Sequence, residues 1–366
     1  VLIVRLSAIG DACHVLTVVN TLRHAWPDTR FTWVLGRVEA KLLGDVPGVR
    51  VLAFDKQDRD ARRVLKQQLR GERFDLLLQM QLSFRATRLA LGVRARRRIG
   101  YPRSRSRELH SLAINERIAE TDATHVLDVL FGFAEACGVH ERVLDWTIPL
   151  SAQDHDWAGE HVPADRRTLV ISPCASHPLR NWSAAGYAAV ADHAAREHDM
   201  AVLLCGGRSE QEAALGAEIV ARSTVPVTNL IGRDTLKQFF AVLQRADVLV
   251  SPDSGPVHMA TAAGTPVIGL YAATSAERSG PYLSRALCVD RYAQAAQQFL
   301  GRPVDTLRWG TKIERPGVMA LIEPEAVTAR LDQWARASSA PSAMLPSAGQ
   351  RRLPVKPRPG EGQQRG

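Results

Sequence analysis

The chain has 366 residues, of which 45% are apolar and 23% charged, and its net charge is +9. That is the balance of a soluble globular protein with room for two domains. It excludes a disordered chain or a set of membrane helices, since no apolar run approaches the ~20 residues that cross a bilayer. The positive excess asks for an acidic partner: nucleic acid, anionic lipid or an acidic glycan.

Taken in order, apolar runs predict strands at 1–5, 31–35, 51–54 and 76–79. Helical patterns fill the gaps at 12–25, 58–70 and 83–91, and a further helix at 125–136 stops at Gly138. The second half repeats the scheme, with strands at 169–172, 201–205, 227–230, 248–251 and 267–271, and helices at 184–197, 210–221, 236–246 and 256–263. This alternation implies an α/β protein with parallel sheets covered by helices on both faces. The polar, Pro-containing stretch 146–167 interrupts it, so domains are expected at 1–150 and 165–322, followed by a helical segment at 323–337. The remainder, 338–366, is rich in Ser, Pro, Gly and Arg, carries +4 of the net charge, and is expected to be a disordered basic tail.

The five cysteines (Cys13, Cys137, Cys174, Cys205, Cys288) are odd in number and lack CxxC spacing, which fits reduced thiols in a cytoplasm. The chain opens on the strand-like Val1-Leu2-Ile3-Val4, without the basic leader, apolar core and cleavage site of a signal peptide.

Chemistry is concentrated where strands give way to helices, at the strand ends that bind ligands in such sheets. The first such segment is Arg5-Leu6-Ser7-Ala8-Ile9-Gly10-Asp11-Ala12-Cys13-His14. Gly10 lets the backbone approach a ligand, and Asp11 sits at a helix start. A capping aspartate and a catalytic carboxylate are equally at home there. The segment is not a GxGxxG fingerprint, so a dehydrogenase-type dinucleotide fold has no support. The second runs from Ser172 to Trp182, where Ser176 offers a hydroxyl and Arg180 a fork suited to a diphosphate, unless this is an ordinary surface loop. In the third, Cys205-Gly206-Gly207-Arg208-Ser209-Glu210, Ser209 reads as a cap and Glu210 as a carboxylate for a ribose diol. The fourth, Ser251 to Leu270, is the most specific. A strand breaks at Asp253-Ser254-Gly255 into a helix bearing His258, then Gly264 and a second strand follow. Free N–H groups and the helix dipole make such a start an anion site, fit for a nucleotide diphosphate.

Two patterns point elsewhere. Asp58-Arg59-Asp60 has the form of a metal-holding DxD but opens a basic amphipathic helix, which reads as a solvated face. His193 and His198 are five apart and miss the i, i+4 spacing of a zinc pair, so no metal is expected.

In this order, RLSAIGDACH, SHPLRNW, GGRSEQE and PDSGPVHMATAAGTPVIGLY followed by Gly280-Pro281-Tyr282 resemble glycosyltransferase family 9, the ADP-heptose:lipopolysaccharide heptosyltransferases. The resemblance spans about 1–335. It implies a GT-B fold: two Rossmann-like doubly wound parallel-sheet domains facing a cleft, the N-terminal one for acceptor and the C-terminal one for donor. By position, Asp11 matches the family's catalytic base, Ala175 and Ser176 its phosphate-holding positions, and Glu210 a donor-contacting carboxylate. Asp253, Ser254, Gly255 and His258 match its donor loop. Arg180 falls where the family usually has lysine, and Ala175 lacks a hydroxyl often found there. Arg94, Arg96, Arg97, Arg98, Arg103, Arg105 and Arg107 fall where the acidic acceptor docks. The resemblance further implies inversion without a metal or any cofactor beyond the ADP-sugar. The partners it implies are a nucleotide-sugar donor and an acidic lipid-linked glycan acceptor, met by a cytoplasmic monomer in peripheral contact with the inner leaflet of the inner membrane. Two alternatives remain. A nucleotide-sugar epimerase of the same fold would need acid/base groups for elimination rather than an acceptor site. A nucleic-acid-binding protein would interleave its basic residues with stacking aromatics, which this chain does not.

Overall fold

The computed structural model describes residues 1–106, 109–339 and 351–353. Two six-stranded parallel sheets dominate. The N-terminal sheet holds β1 (Leu2–Val4), β2 (Phe31–Gly36), β3 (Val49–Phe54), β4 (Phe74–Gln79), β5 (Ala95–Gly100) and β6 (Glu116–Arg117), in the order β3-β2-β1-β4-β5-β6. After β7 (Arg142–Leu144), the C-terminal sheet holds β8 (Thr168–Ile171), β9 (Ala201–Leu204), β10 (Thr228–Asn229), β11 (Val248–Pro252), β12 (Val267–Tyr271) and β13 (Val289–Asp290), in the matching order β10-β9-β8-β11-β12-β13. Strands β1, β2, β8, β11 and β12 are buried along their whole length, as parallel strands covered on both faces must be.

The expected strands and helices all form, and elements without an apolar signal appear beside them. Strand β5 reads Ala-Arg-Arg-Arg-Ile-Gly, and its charges mask it. The structure neutralises them locally: Arg97 forks onto Glu116 of β6, and Arg98 donates to the carbonyls of Ala113 (2.7 Å), Val93 (2.8 Å) and Ala90. Inside the polar stretch expected to mark the boundary lies the helix Ala152–His161, started by a reciprocal Ser151–Asp154 cap. It packs on the helix Leu236–Arg245 of the following lobe. The helix Pro324–Ser339 lies against the helix Ala184–His198.

The two lobes share one core. A continuous cluster of buried apolar residues runs from Ile3, Leu16 and Phe131 of the first lobe to Phe240, Val257 and Met259 of the second. Among the described residues no helix is long and apolar enough to cross a membrane. Of the expected tail, 338 and 339 extend the helix Pro324–Ser339 and 351–353 pair antiparallel with β7; the rest lies outside the described residues. Arg107 lies outside them as well.

Candidate functional site between the lobes

In each sheet the strand order reverses beside the strand that comes first in the chain, between β1 and β4 and between β8 and β11. At such a switch point the flanking loops part, leaving a crevice at the carboxyl ends of the strands. The segment 5–14 leaves β1, 172–182 leaves β8, and Asp253-Ser254-Gly255 leaves β11. Three of the four sequence motifs therefore open at the two switch points, and the helices that follow β1 and β11 pack against each other across the lobes.

Asp11 is in the first turn of the helix Ile9–Ala25, with Ala8 rather than Asp11 at the cap position. Its carboxylate reaches back to the Ala8 N–H only at 3.4 Å; its main partner is the Arg5 guanidinium. Arg5 is buried, and its other arm donates to the Met80 carbonyl at 2.5 Å. Gln81, just past β4, accepts from the Leu6 N–H at 2.6 Å and fixes the loop from the other side of the switch point. Burial opposes ionisation of Asp11, but Arg5, then His258, Arg278 and the Ala8 amide outweigh it and hold the carboxyl below its usual range. Asp11 is thus an ionised carboxylate, about a third exposed at the crevice (34%).

On the facing lobe, Arg180 is buried and fixed from three sides. It donates to the Ser176 hydroxyl (2.6 Å) and to the Asp253 carbonyl (3.4 Å), and its Nε stands 3.3 Å from the Glu314 carboxylate. The Asp253 carboxylate lies 3.7 Å from the same guanidinium. Asn181 accepts from the Ala175 N–H at 2.7 Å and shapes the loop. The Ser254 hydroxyl is engaged with Ser251 (2.9 Å), so no side chain caps the helix Gly255–Ala263 that it precedes. The start of that helix keeps its dipole and amides for an anion. Gly264 ends it with φ of 85°, a conformation glycine adopts without strain.

The lobes meet at His258. Its ring lies over Gly10, so closely that a Cβ there would overlap it. Gly10, expected to admit a ligand, instead admits this imidazole. His14 stacks edge-on to His258 (4.5 Å between centroids) and to His125 (5.6 Å). The Leu127 N–H donates to His125 Nδ1 (3.1 Å), so the proton is on Nε2, which donates to the Gly280 carbonyl of the other lobe (3.0 Å). Burial is the largest influence on all three imidazoles and favours their neutral forms, lowering His125 to about 4.

A second bridge was not foreseen. Trp309 donates from Nε1 to the Thr124 carbonyl (2.9 Å), and Arg105 and Arg278, one from each lobe, each place a guanidinium 4.5 Å from its ring centre. Arg278 faces Asp11 and His258 closely enough to bear on the ionisation of both. Nothing in the local sequence around Arg278 or Glu314 marks them, and their roles come from residues far along the chain; Arg5 opens the first motif, but its anchor on Met80 is equally remote.

The remaining expected residues divide. Arg97 and Arg98 are consumed in holding β5, and Arg94 and Arg96 are exposed at its start, the end away from the crevice. Arg103 and Arg105 follow the strand and lie at the crevice end, Arg103 exposed and Arg105 half-buried. Glu210 is exposed at the start of the helix Glu210–Arg222. The carboxylate that ties the Gly206-Gly207 turn is Glu212, which accepts from the Gly207 N–H (2.8 Å) and the Ser209 hydroxyl (2.7 Å). Asp58 and Asp60 form an exposed turn, with Asp60 paired to Arg63. His193 and His198, set aside on spacing, do converge, both meeting Asp332.

Comparison with known proteins agrees with this geometry. The model of glycosyltransferase family 9 (heptosyltransferase) matches residues 62–316. The chain is 38% identical over 331 residues to the lipopolysaccharide core heptosyltransferase OpsX of Haemophilus influenzae, covering 90% of this chain and 95% of that protein. It is 24% identical over 281 residues to lipopolysaccharide heptosyltransferase 3 of Escherichia coli K12, covering 72% and 80%. Among solved structures, a family 9 glycosyltransferase from Veillonella parvula superposes with a TM-score of 0.73 at 17% identity, covering 92% of this chain and 97% of that one. E. coli ADP-heptose lps heptosyltransferase II superposes with 0.69 at 19%, covering 93% and 99%. These neighbours have the GT-B fold that the paired sheets display. The epimerase and nucleic-acid readings are left without support, and the chain belongs to glycosyltransferase family 9, the heptosyltransferases.

Proposed function

We propose that this enzyme transfers a heptose from an ADP-sugar to the inner core of lipopolysaccharide, with inversion and without a metal in the transfer step. The observation that carries the reading is the meeting, from opposite switch points, of the Asp11 carboxylate and His258 in the first turn of a helix that no side chain caps.

In this reading the diphosphate of the donor lies at the start of the helix Gly255–Ala263, beside Ala175, Ser176 and Arg180, with Asp253, Ser254 and Gly255 forming the turn around it. Glu210 reaches the ribose from the rim. The acceptor hydroxyl attacks the anomeric carbon from the Asp11 side. As the new C–O bond forms, its proton passes to Asp11 and the bond to the diphosphate oxygen breaks. The charge gathering on ADP is met by Arg180, Ser176, His258 and the helix amides, which are already oriented. Arg180 is shared with Asp253 and Glu314, so its fork is placed while its charge is partly compensated. Arg103 and Arg105 receive the acidic acceptor, and Arg278 completes that wall from the donor lobe. A lipid-linked acceptor brings the enzyme to the inner leaflet as a peripheral protein.

Support comes from the charge and placement of these groups and from the relatives named for this activity. The test is transfer to a lipid-linked inner-core acceptor with ADP-heptose set against other ADP- and UDP-sugars, reading product configuration by NMR with and without chelator. Inverted product from ADP-heptose, unaffected by chelator, is expected. Equal use of UDP-sugars, retained configuration, or loss of transfer with chelator well below the melting temperature would refute it.

A further inference from the structure

The helix Ala184–His198 starts beside the donor loop and runs away from it for 15 residues. At 1.5 Å per residue its last turn lies roughly 20 Å from the crevice. His198 is on that turn, and His193 lies about 1.4 turns before it. On an ideal helix, side chains five apart diverge by about 140°, which is why their spacing argues against a shared ligand. His198, however, is the terminal helical residue, and Asp199 turns the chain out with φ of 50°. The two rings come to 5.5 Å between centroids. Asp332, on the helix Pro324–Ser339, places one carboxylate oxygen, Oδ1, 2.7 Å from Nε2 of both.

Two imidazole nitrogens and a carboxylate oxygen thus converge within 4.8 Å of one another. The side chains are 16–31% exposed, so the site is walled by protein yet open to solvent on one side. Without a cation, both imidazoles spend their Nε2–H on a single oxygen. With one, the protons move to Nδ1 and the Nε2 lone pairs turn inward. A tetrahedral cation with bonds near 2.0–2.1 Å needs neighbouring ligand atoms about 3.3 Å apart. Between Oδ1 and each nitrogen an opening of about half an ångström suffices, within the freedom of partly exposed side chains. The N₂O donor set suits zinc and its borderline neighbours; calcium and magnesium prefer oxygen alone.

We propose that His193, His198 and Asp332 form a zinc-type divalent-cation site with water in the fourth position, remote from the transfer crevice, that clamps the last helix to the donor lobe. It is independent of the proposed transfer chemistry, since none of its residues faces the crevice.

The test uses the full chain, stripped by chelator and titrated with ZnCl₂ and, separately, CoCl₂. One equivalent is expected to bind, the melting temperature to rise by about 5 °C at saturating zinc, and cobalt to show the visible bands of a tetrahedral site. In Asp332→Ala and His193→Ala the bands and the zinc-dependent rise are both lost while ADP binding persists. Absence of cobalt bands in the wild-type chain, or an unchanged one-equivalent response in both variants, overturns the proposal.

Discussion

Asp11 occupies a position that suits a cap or a base alike, and in the fold its carboxylate meets both the Ala8 N–H and, more closely, Arg5. Ala8 takes the cap position, and Arg5, anchored on Met80, pairs with the carboxylate. Asp11→Asn keeps the shape but removes the proton acceptor, so kcat/KM is expected to fall about 10²–10⁴-fold while calorimetric ADP affinity stays within a few-fold. Turnover near wild type in that variant would remove Asp11 from the proposed mechanism. The buried histidines make a different prediction. His14, His125 and His258 favour their neutral forms in the fold, and His110 joins them at about 4, again through burial. Between pH 6.5 and 4 the unfolded chain binds protons that the folded chain refuses. Stability is therefore whole above the unfolded histidine value and declines as pH falls through this window. For His125, a shift from 6.5 to about 4 corresponds to on the order of 3 kcal/mol at full effect. Melting temperatures from pH 7.5 to 4.5 should drop on the acid side and less steeply in His125→Gln; a flat profile would contradict the assignment.

At the level of elements, the decisive contact is between the first turns of the helices Ile9–Ala25 and Gly255–Ala263. Gly10 has no side chain, and the His258 ring fills the space one would need. Gly10→Ala should hold the lobes apart, which small-angle scattering would record as a larger radius of gyration. Adding His258→Ala should restore the wild-type radius, because the obstructing ring is gone. A radius unchanged by the single substitution would show that the helices slide without opening. The elements themselves were largely readable, for a physical reason: a buried parallel strand writes an apolar run and a helix start writes Asp, Ser, Thr or Gly beside it. Strand β5 was not readable. Its arginines are satisfied by Glu116 and by carbonyls of neighbouring turns, partners that local pattern cannot reveal. The short helices Arg37–Leu43 and Tyr292–Leu300 were missed as well.

For the whole molecule, the shared apolar core and the cross-lobe bonds of His125, Tyr282 and Trp309 mean that neither lobe unfolds alone. Calorimetry should show one transition whose van't Hoff and calorimetric enthalpies agree, and ADP at one hundred times its Kd should stabilise that whole transition by about 2.7 kcal/mol. Two separate peaks, with only the second moved by ADP, would mean that the lobes are thermodynamically independent. The order of residues was enough to establish the α/β alternation, the doubly wound pair of sheets and the family. Each of these is written in a few neighbouring residues, through burial period, turn chemistry and helix starts. Folding alone settled which charges stay free. It spent Arg97 and Arg98 on structure, set Arg5 behind Asp11, and stacked Arg105 and Arg278 on Trp309. It also brought His193 and His198 to Asp332. Those pairings join residues up to about two hundred positions apart, and such distances are closed by packing, on which local sequence is silent.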